Sequence, residues 1–359
     1  MMTSEVTRAA TTTAASNRAS AREDVAFDMM SHLIRRPEIG ALVGTLAVYF
    51  FFAVFGGGEF ISSGGTASWL NVAAELGIIA LPVGLLMIAG ELDLSVGSVV
   101  AASSLTMAIV SGYWGMPMEI GVALALLLGV VTGFLNGLIV TRTRVPSFVA
   151  TLATDFALAG ATLGLCRVLT GTVSIAVTQN SPTKAVFGAL INGKFEVALL
   201  WWLAVFLVVG WVLHVTRYGN WIFAIGGDKE SALTTGIPVQ KVKIGLFAGS
   251  GFAAALVGVI QTATYNGAQV ATGQSFVFNS IIAVVIGGVL LTGGYGSVVG
   301  VVFGTLTFAI VNQGIYYTSW NSDWASLILG ILLLAAVVMN TMFRKFAFSY
   351  ATRAKKGAS

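Results

Sequence analysis

The stretch VAAELGIIALPVGLLMIAGELDLSVGS, Val72 to Ser98, carries one charge, Glu75, through 72–90 and then places two carboxylates, Glu91 and Asp93, just ahead of Ser95. About twenty apolar residues in a row let a helix cross roughly 30 Å of hydrocarbon. In water the same run would need a large core around it. Composition decides between the two solvents: 56% of the 359 residues are hydrophobic and 9% are charged, whereas a soluble domain carries roughly 25% charged residues. The chain is read as an all-α, polytopic membrane protein. Its 43 glycines and eight tryptophans agree, because glycine is common in membrane helices and tryptophan gathers at bilayer interfaces. The single cysteine, Cys166, cannot form an internal disulfide.

Outward from Val72 the same criterion gives about ten transmembrane helices, near 39–55, 71–90, 96–112, 119–140, 147–169, 195–214, 244–264, 276–291, 297–316 and 324–342. Basic residues orient them. With the N-terminus inside, 16 of the 19 Lys and Arg fall in cytoplasmic segments, and only Arg167, Lys184 and Lys194 fall elsewhere. An odd number of spans would put the basic tail outside, against the positive-inside rule. Both termini are therefore expected in the cytoplasm. The net charge of +4 follows from that asymmetry rather than from nucleic-acid binding. Residues 1–38 are rich in Ser, Thr and Ala and lack an apolar signal-peptide core, so they read as a disordered cytoplasmic arm. A transmembrane domain occupies 39–343 and a basic cytoplasmic tail 344–359.

Two motifs invite a nucleotide reading and fail it. GALINGKF, Gly188 to Phe195, follows a phosphate-binding loop until Phe195 stands where Ser or Thr would hold magnesium. GGYGSVVG, Gly293 to Gly300, looks like a dinucleotide fingerprint but joins two apolar spans with no strand before it; close helix packing or a tight turn fits it better. His32 and His214 lie far apart, and no cluster of His, Cys and carboxylates has metal spacing. No catalytic constellation, metal site or cofactor site is expected.

The acids of the opening stretch have two readings. Asp93 and Ser95 suit a helix start, where a side-chain oxygen accepts from free backbone N–H groups and negative charge meets the positive end of the helix dipole. Gly90, Glu91, Asp93, Ser95 and Gly97 also suit a broken helix beside a polar pathway, since irregular backbone at membrane depth survives only where protein or a water-filled cavity covers it. The residues alone leave both open.

GELDLSVGS is one of a series. With GFLNGLIV (Gly133 to Val140), VPSFVATLAT (Val145 to Thr154), RYGNWIFAIGGDKESALTTGIPV (Arg217 to Val239) and AVVIGGVLLTGGYGSVVG (Ala283 to Gly300), it resembles the permease subunits of bacterial ABC importers for ribose, xylose, arabinose and related monosaccharides. The resemblance implies a multi-pass permease of the cytoplasmic (inner) membrane that moves a small polar solute, a monosaccharide or related polyol. It further implies a pore of two permease chains, a second copy in a homodimer or a related partner, a periplasmic or extracellular sugar-binding protein outside, and a separate cytoplasmic ATPase subunit, so that this chain is not itself an enzyme. At Gln274, Asn279, Tyr295 and Asp155 the chain carries residues other than those usual in the family, and the resemblance names no particular sugar.

The residues add detail. Asp228 can cap a short helix through Lys229, Glu230, Ser231, Ala232 and Leu233, with Gly236 placed to stop it; the resemblance makes this the ATPase-coupling helix. Polar side chains within or beside the spans, Asn136, Thr151, Thr154, Asp155, Gln261, Thr264, Asn279 and Asn312, are the pathway candidates. Asp155 lies well inside a span, where a carboxylate is costly and marks either a solute or ion pathway or a hydrogen bond to a neighbouring helix. An autonomous ion-coupled transporter using Asp155 or Glu75 is the alternative function.

Overall fold

The computed structural model describes residues 37–143 and 145–318, with single positions between 320 and 338. Thirteen α-helices follow one another among them: α1 (Pro37–Phe55), α2 (Gly57–Ile61), α3 (Ser63–Ile88), α4 (Val96–Met107), α5 (Met118–Arg142), α6 (Ser147–Thr170), α7 (Pro182–Gly188), α8 (Ala198–His214), α9 (Arg217–Gly227), α10 (Lys229–Thr234), α11 (Val239–Tyr265), α12 (Phe276–Ile286) and α13 (Val298–Gly314). A π turn, Ala108–Tyr113, extends α4. Helix ends follow local chemistry. The Ser62 and Ser297 side chains accept from the Gly65 and Gly300 N–H groups at the starts of α3 and α13, and Gly171 ends α6 in the left-handed region at φ +73°.

Among the described residues seven helices are long and apolar enough to cross a membrane: α1, α3, α4 with its π turn, α5, α6, α11 and α13 with the turn after it. An eighth crossing forms if α8 and α9, bent by 74° at their junction, count as one. The run 276–291, expected as one continuous span, is different. Its helix α12 has eleven residues, which rise roughly 16 Å, about half the hydrocarbon thickness. It stops because Gly287 and Gly288 follow, Gly288 at φ +89°. The expected tenth span, most of the arm 1–38 and the tail 344–359 lie largely or wholly outside the described residues; Pro37 and Glu38 open α1.

Helix α3 is the axis of the bundle. From Ala73 to Ile88 it is buried, enclosed by α8, α11, α12 and α13. Helices α5 and α11 pack backbone to backbone: a Cβ at Gly129 would come within 2.3 Å of Gly251 O, and one at Gly251 within 2.1 Å of Gly129 O. In lipid, where apolar surface alone gives little association, small residues bring such helices together. Helix α6 stands at the edge, with Phe156, Leu165 and Val168 exposed by 59–82% or more than half their surface, Val168 by 82%.

The all-α expectation omits two short ribbons in the connections between helices. β1 (Ser174–Ala176) pairs antiparallel with β4 (Gly267–Gln269). β2 (Leu190–Ile191) and β3 (Phe195–Glu196) form a hairpin. Its three-residue turn, 192–194, holds Asn192 and Gly193 at φ +52° and +68°, left-handed backbone that asparagine and glycine tolerate best. This is what the GALINGKF segment forms.

Candidate functional site

Between α3 and α4 the backbone leaves helix for 89–95, and its free N–H groups find partners on another helix. Leu92 N–H donates to Ser147 Oγ at 3.1 Å, Leu94 N–H to Thr151 Oγ1 at 3.0 Å and Ser98 N–H to Asp155 Oδ1 at 3.1 Å. The three acceptors lie four residues apart on one face of α6. Asp155 thus caps α4 from outside, which gives a carboxylate inside a span a definite hydrogen-bonding role. Asp93, fully buried, accepts from Ser95 N–H at 3.0 Å, Ser95 Oγ at 2.6 Å and, from α11, Ser250 Oγ at 2.8 Å. Asn136 of α5 donates to Ser95 Oγ at 2.8 Å and accepts from Thr154 Oγ1 at 2.6 Å. Glu91 forms an ion pair with Lys243 of α11, both side chains largely buried.

The second break, Gly287 to Ser297, lies against the first. Gly294 N–H donates to Ile88 O at 2.8 Å. Gly293, at φ +81°, approaches so closely that a Cβ there would meet Gly90 Cα at 2.9 Å. Helix α9 is wedged into the same point: a Cβ at Gly226 would fall 1.7 Å from Ile88 O and 2.6 Å from Gly294 N. One residue past α9, Asp228 caps α10, accepting from Glu230 N–H at 3.0 Å, Ser231 N–H at 3.2 Å and Ser231 Oγ at 2.7 Å. These bonds, the Ser231 hydroxyl foremost, hold the Asp228 carboxyl below the usual carboxylate range. Gly236 follows at φ +81°. Lys229, Glu230, Ser231 and Leu233 are exposed. Ala232 is not: it is 3% exposed and belongs to the apolar cluster that holds Val239 and Val242.

At the opposite end, Ser104 of α4 and Gln261 of α11 line a cavity of about 510 Å³ with Thr272, Gln269 and the β1–β4 ribbon. Gln261 Nε2 donates to Glu75 Oε2 of α3 at 2.8 Å. Glu75 Oε1, Gln261 Oε1 and Thr264 Oγ1 are buried without a hydrogen-bond partner among the described residues. Nearby, burial pushes the Glu196 carboxyl up from its ordinary value, against a hydrogen bond from Tyr265 Oη at 3.4 Å.

The sequence-derived residues therefore fall into groups. Asn136, Thr151, Thr154 and Asp155 gather with Asp93 and Ser95 around the first break. Gln261 and Thr264 sit in the last two turns of α11, Asn312 near the end of α13, and Asn279 half-buried on α12. Gly97 packs the start of α4 on α12, since a Cβ there would lie 2.5 Å from Val277 Cγ2. Ser147, Lys243, Ser250 and Gly226 were not singled out. Ser147 could have been, lying four residues before Thr151; the others are joined to the break only by the fold. No group of three His, Cys, Asp or Glu able to hold a metal gathers among the described residues.

A family model described as branched-chain amino acid transport system / permease component matches residues 65–337. The chain is 34% identical over 267 residues to the ribose import permease protein of Escherichia coli strain K12, covering 73% of this chain and 81% of that one. It is 29% identical over 300 residues to the fructose import permease protein of Rhizobium meliloti, covering 82% and 83%. With the xylose transport system permease protein of Haemophilus influenzae it shares 28% over 362 aligned positions, covering 85% and 96%. No solved structure matches the chain.

Proposed function

The chain belongs to the family of ABC-importer permease components, and from that premise we propose that it pairs with a second copy to pass a monosaccharide or related polyol into the cytoplasm. It is the multi-pass membrane subunit of the importer and not an enzyme; ATP hydrolysis sits on a separate subunit, and the family implies a substrate-binding protein as the other partner. The solute class draws support from the outer cavity, whose amides and hydroxyls, with the unpartnered oxygens of Glu75, Gln261 and Thr264 beside it, suit a neutral compound with many hydroxyl groups. A second copy would face α6. That helix carries half-buried Thr154 and Asp155 beside exposed Phe156, and polar groups in a span face protein or a water-filled passage. Of the pathway candidates, Thr154 and Asp155 would then line the space between the two α6 helices and Gln261 the outer cavity, while Asn136 and Thr151, fully buried, hold the first break.

One observation carries the mechanism: Gly226 is seated against both helix breaks while the helix after it, α10, is exposed. An ATPase that moves α10 moves α9, and α9 cannot shift without disturbing Ile88 and Gly294. The ATPase contact would be made by Lys229, Glu230, Ser231 and Leu233, with Asp228 and Gly236 fixing the helix and Ala232 holding it to the permease. Gly226→Ala forces the seat apart. In importers reconstituted with ATPase and binding protein, this variant should keep normal abundance and ATPase copurification while losing at least tenfold in ATP-dependent uptake. Leu233→Asp should instead lose copurification. Full uptake by Gly226→Ala would refute the linkage.

A further inference from the structure

A groove of about 430 Å³ runs between α8 and α11, floored by Pro82 and Leu85 of α3. Its walls are hydrocarbon: Val205, Val208 and Val212 on α8 face Leu246 and Leu256 on α11. Gly245 and Gly249 face open space in it, since a Cβ at either would meet nothing within 4 Å. One end is basic. Lys241 and Tyr218 close the groove, and the Arg217 guanidinium lies over the Tyr218 and Trp221 rings at 5.7 and 5.2 Å. Neither Arg217 nor Lys241 is in an ion pair among the described residues. Both stand in the segment that the positive-inside rule places in the cytoplasm.

We propose that this groove binds an anionic phospholipid of the inner leaflet, one acyl chain along Gly245 and Gly249 and the phosphate at Lys241 and Arg217. Wall chemistry and length suit a hydrocarbon chain: valines and leucines line the groove, and from Lys241 to Leu256 helix α11 rises roughly 22 Å. The length exceeds one leaflet of about 15 Å, so an acyl chain can lie wholly inside. Charge selects the headgroup: a basic pocket between spans on the cytoplasmic side is complementary to an anionic lipid, and the aromatic rings of Tyr218 and Trp221 are at home at headgroup level. The groove is separate from the α6 face, none of whose residues line it.

The full-length permease, purified in mild detergent, is to be offered phosphatidylglycerol or phosphatidylcholine and weighed intact by native mass spectrometry. One phosphatidylglycerol per copy should be retained, at least tenfold over phosphatidylcholine. Lys241→Gln with Arg217→Gln should bring retention of the two lipids to the same level, and Gly249→Leu should abolish it for both. Should Gly249→Leu fail to fold, a photoreactive residue at Val208 in the otherwise unchanged chain should attach to the acyl chain of added phosphatidylglycerol. Equal retention of the two lipids by the unchanged permease overturns the proposal, as does lipid retained by folded Gly249→Leu. So does attachment of the Val208 probe to a second copy or to the segment 1–36 instead of to lipid. Transport is not the readout, so failure here leaves the importer reading standing.

Discussion

Between Ile88 and Val96 the chain turns with two carboxylates and is tied by side chains from α5, α6 and α11; between Ile286 and Val298 it turns with five glycines and is tied mainly by backbone. Both solve the same problem, for a broken helix leaves polar backbone groups that hydrocarbon cannot satisfy. The acidic break brings oxygens to the N–H groups. The glycine break instead removes side chains, so that a neighbouring backbone comes close enough to bond. The first solution anchors the break to distant helices, and the second lets α9 press against both. Side-chain chemistry therefore holds one junction firmly while bare backbone leaves the other open to being moved.

That contrast can be broken most forcefully at the buried ion pair. Replacing Lys243 by Met strands the Glu91 carboxylate, and removing one partner of a buried pair costs about 3–5 kcal/mol. The variant should melt well below the native permease and transport little, whereas Glu91→Gln with Lys243→Met should regain most of the lost stability. If the double variant is no better than the single one, the pair is not what holds the acidic break to α11. Next in size is Asp93→Ala, which leaves the Ser95 N–H and Ser250 hydroxyl without their acceptor, at about 1–3 kcal/mol for each buried group. Asp93→Asn keeps an acceptor oxygen and should be milder in thermal unfolding, with uptake reduced but membrane abundance near native.

On the glycine side, Gly294→Ala puts a Cβ on a residue at φ +73° and 3.0 Å from Gly227 Cα. Backbone strain of this kind costs about 1–2 kcal/mol. Uptake should fall more than the melting point does, since the junction's motion rather than its stability is affected. Equal losses in both would erase the distinction between the two breaks. The smallest effect is at Asp228, whose folded carboxyl titrates below its unfolded value. The cap's contribution is complete above the unfolded value near 3.8 and is lost as pH falls through the lower folded one. Amide exchange at Glu230 and Ser231 should therefore stay slow into mild acid and quicken only below it, while Asp228→Ala should exchange faster at every pH.

Much of this was legible because hydrocarbon imposes one-dimensional rules. Apolar runs locate the long helices, and the Asp228 to Gly236 segment carries its cap and stop in adjacent residues. Asp93 and Ser95 stand where α4 begins, yet the Ser95 side chain makes no cap hydrogen bond and the distant Asp155 accepts from Ser98 N–H instead. What failed was whatever depends on other parts of the chain. Nothing near Ala232 distinguishes the buried face of a six-residue helix from its exposed one; α9 and α11 decide that. The run 276–291 is apolar throughout, yet Gly287 and Gly288 end its helix early. The Asn-Gly pair at 192–193 was a readable hairpin signal, masked by its likeness to a phosphate loop. Lys243 counted only as an inside charge until the fold set it beside Glu91, 152 residues earlier.

The ladder from α6 to the first break also bears on how the chain is made. Leu92 finds its acceptor 55 residues later, and Leu94 and Ser98 theirs 57 residues later; Asp93 waits 157 residues for Ser250. Synthesis runs from the N-terminus, so α3 and α4 leave the ribosome before any of these partners exists. Until then the N–H groups of 92, 94 and 98 must stay hydrated, which keeps the acidic turn at an aqueous surface. Insertion of the first helices is thus provisional. The turn can settle into the bundle only after α6 has been delivered, and it locks when α11 follows, so the order of translation is also the order in which this junction loses its water.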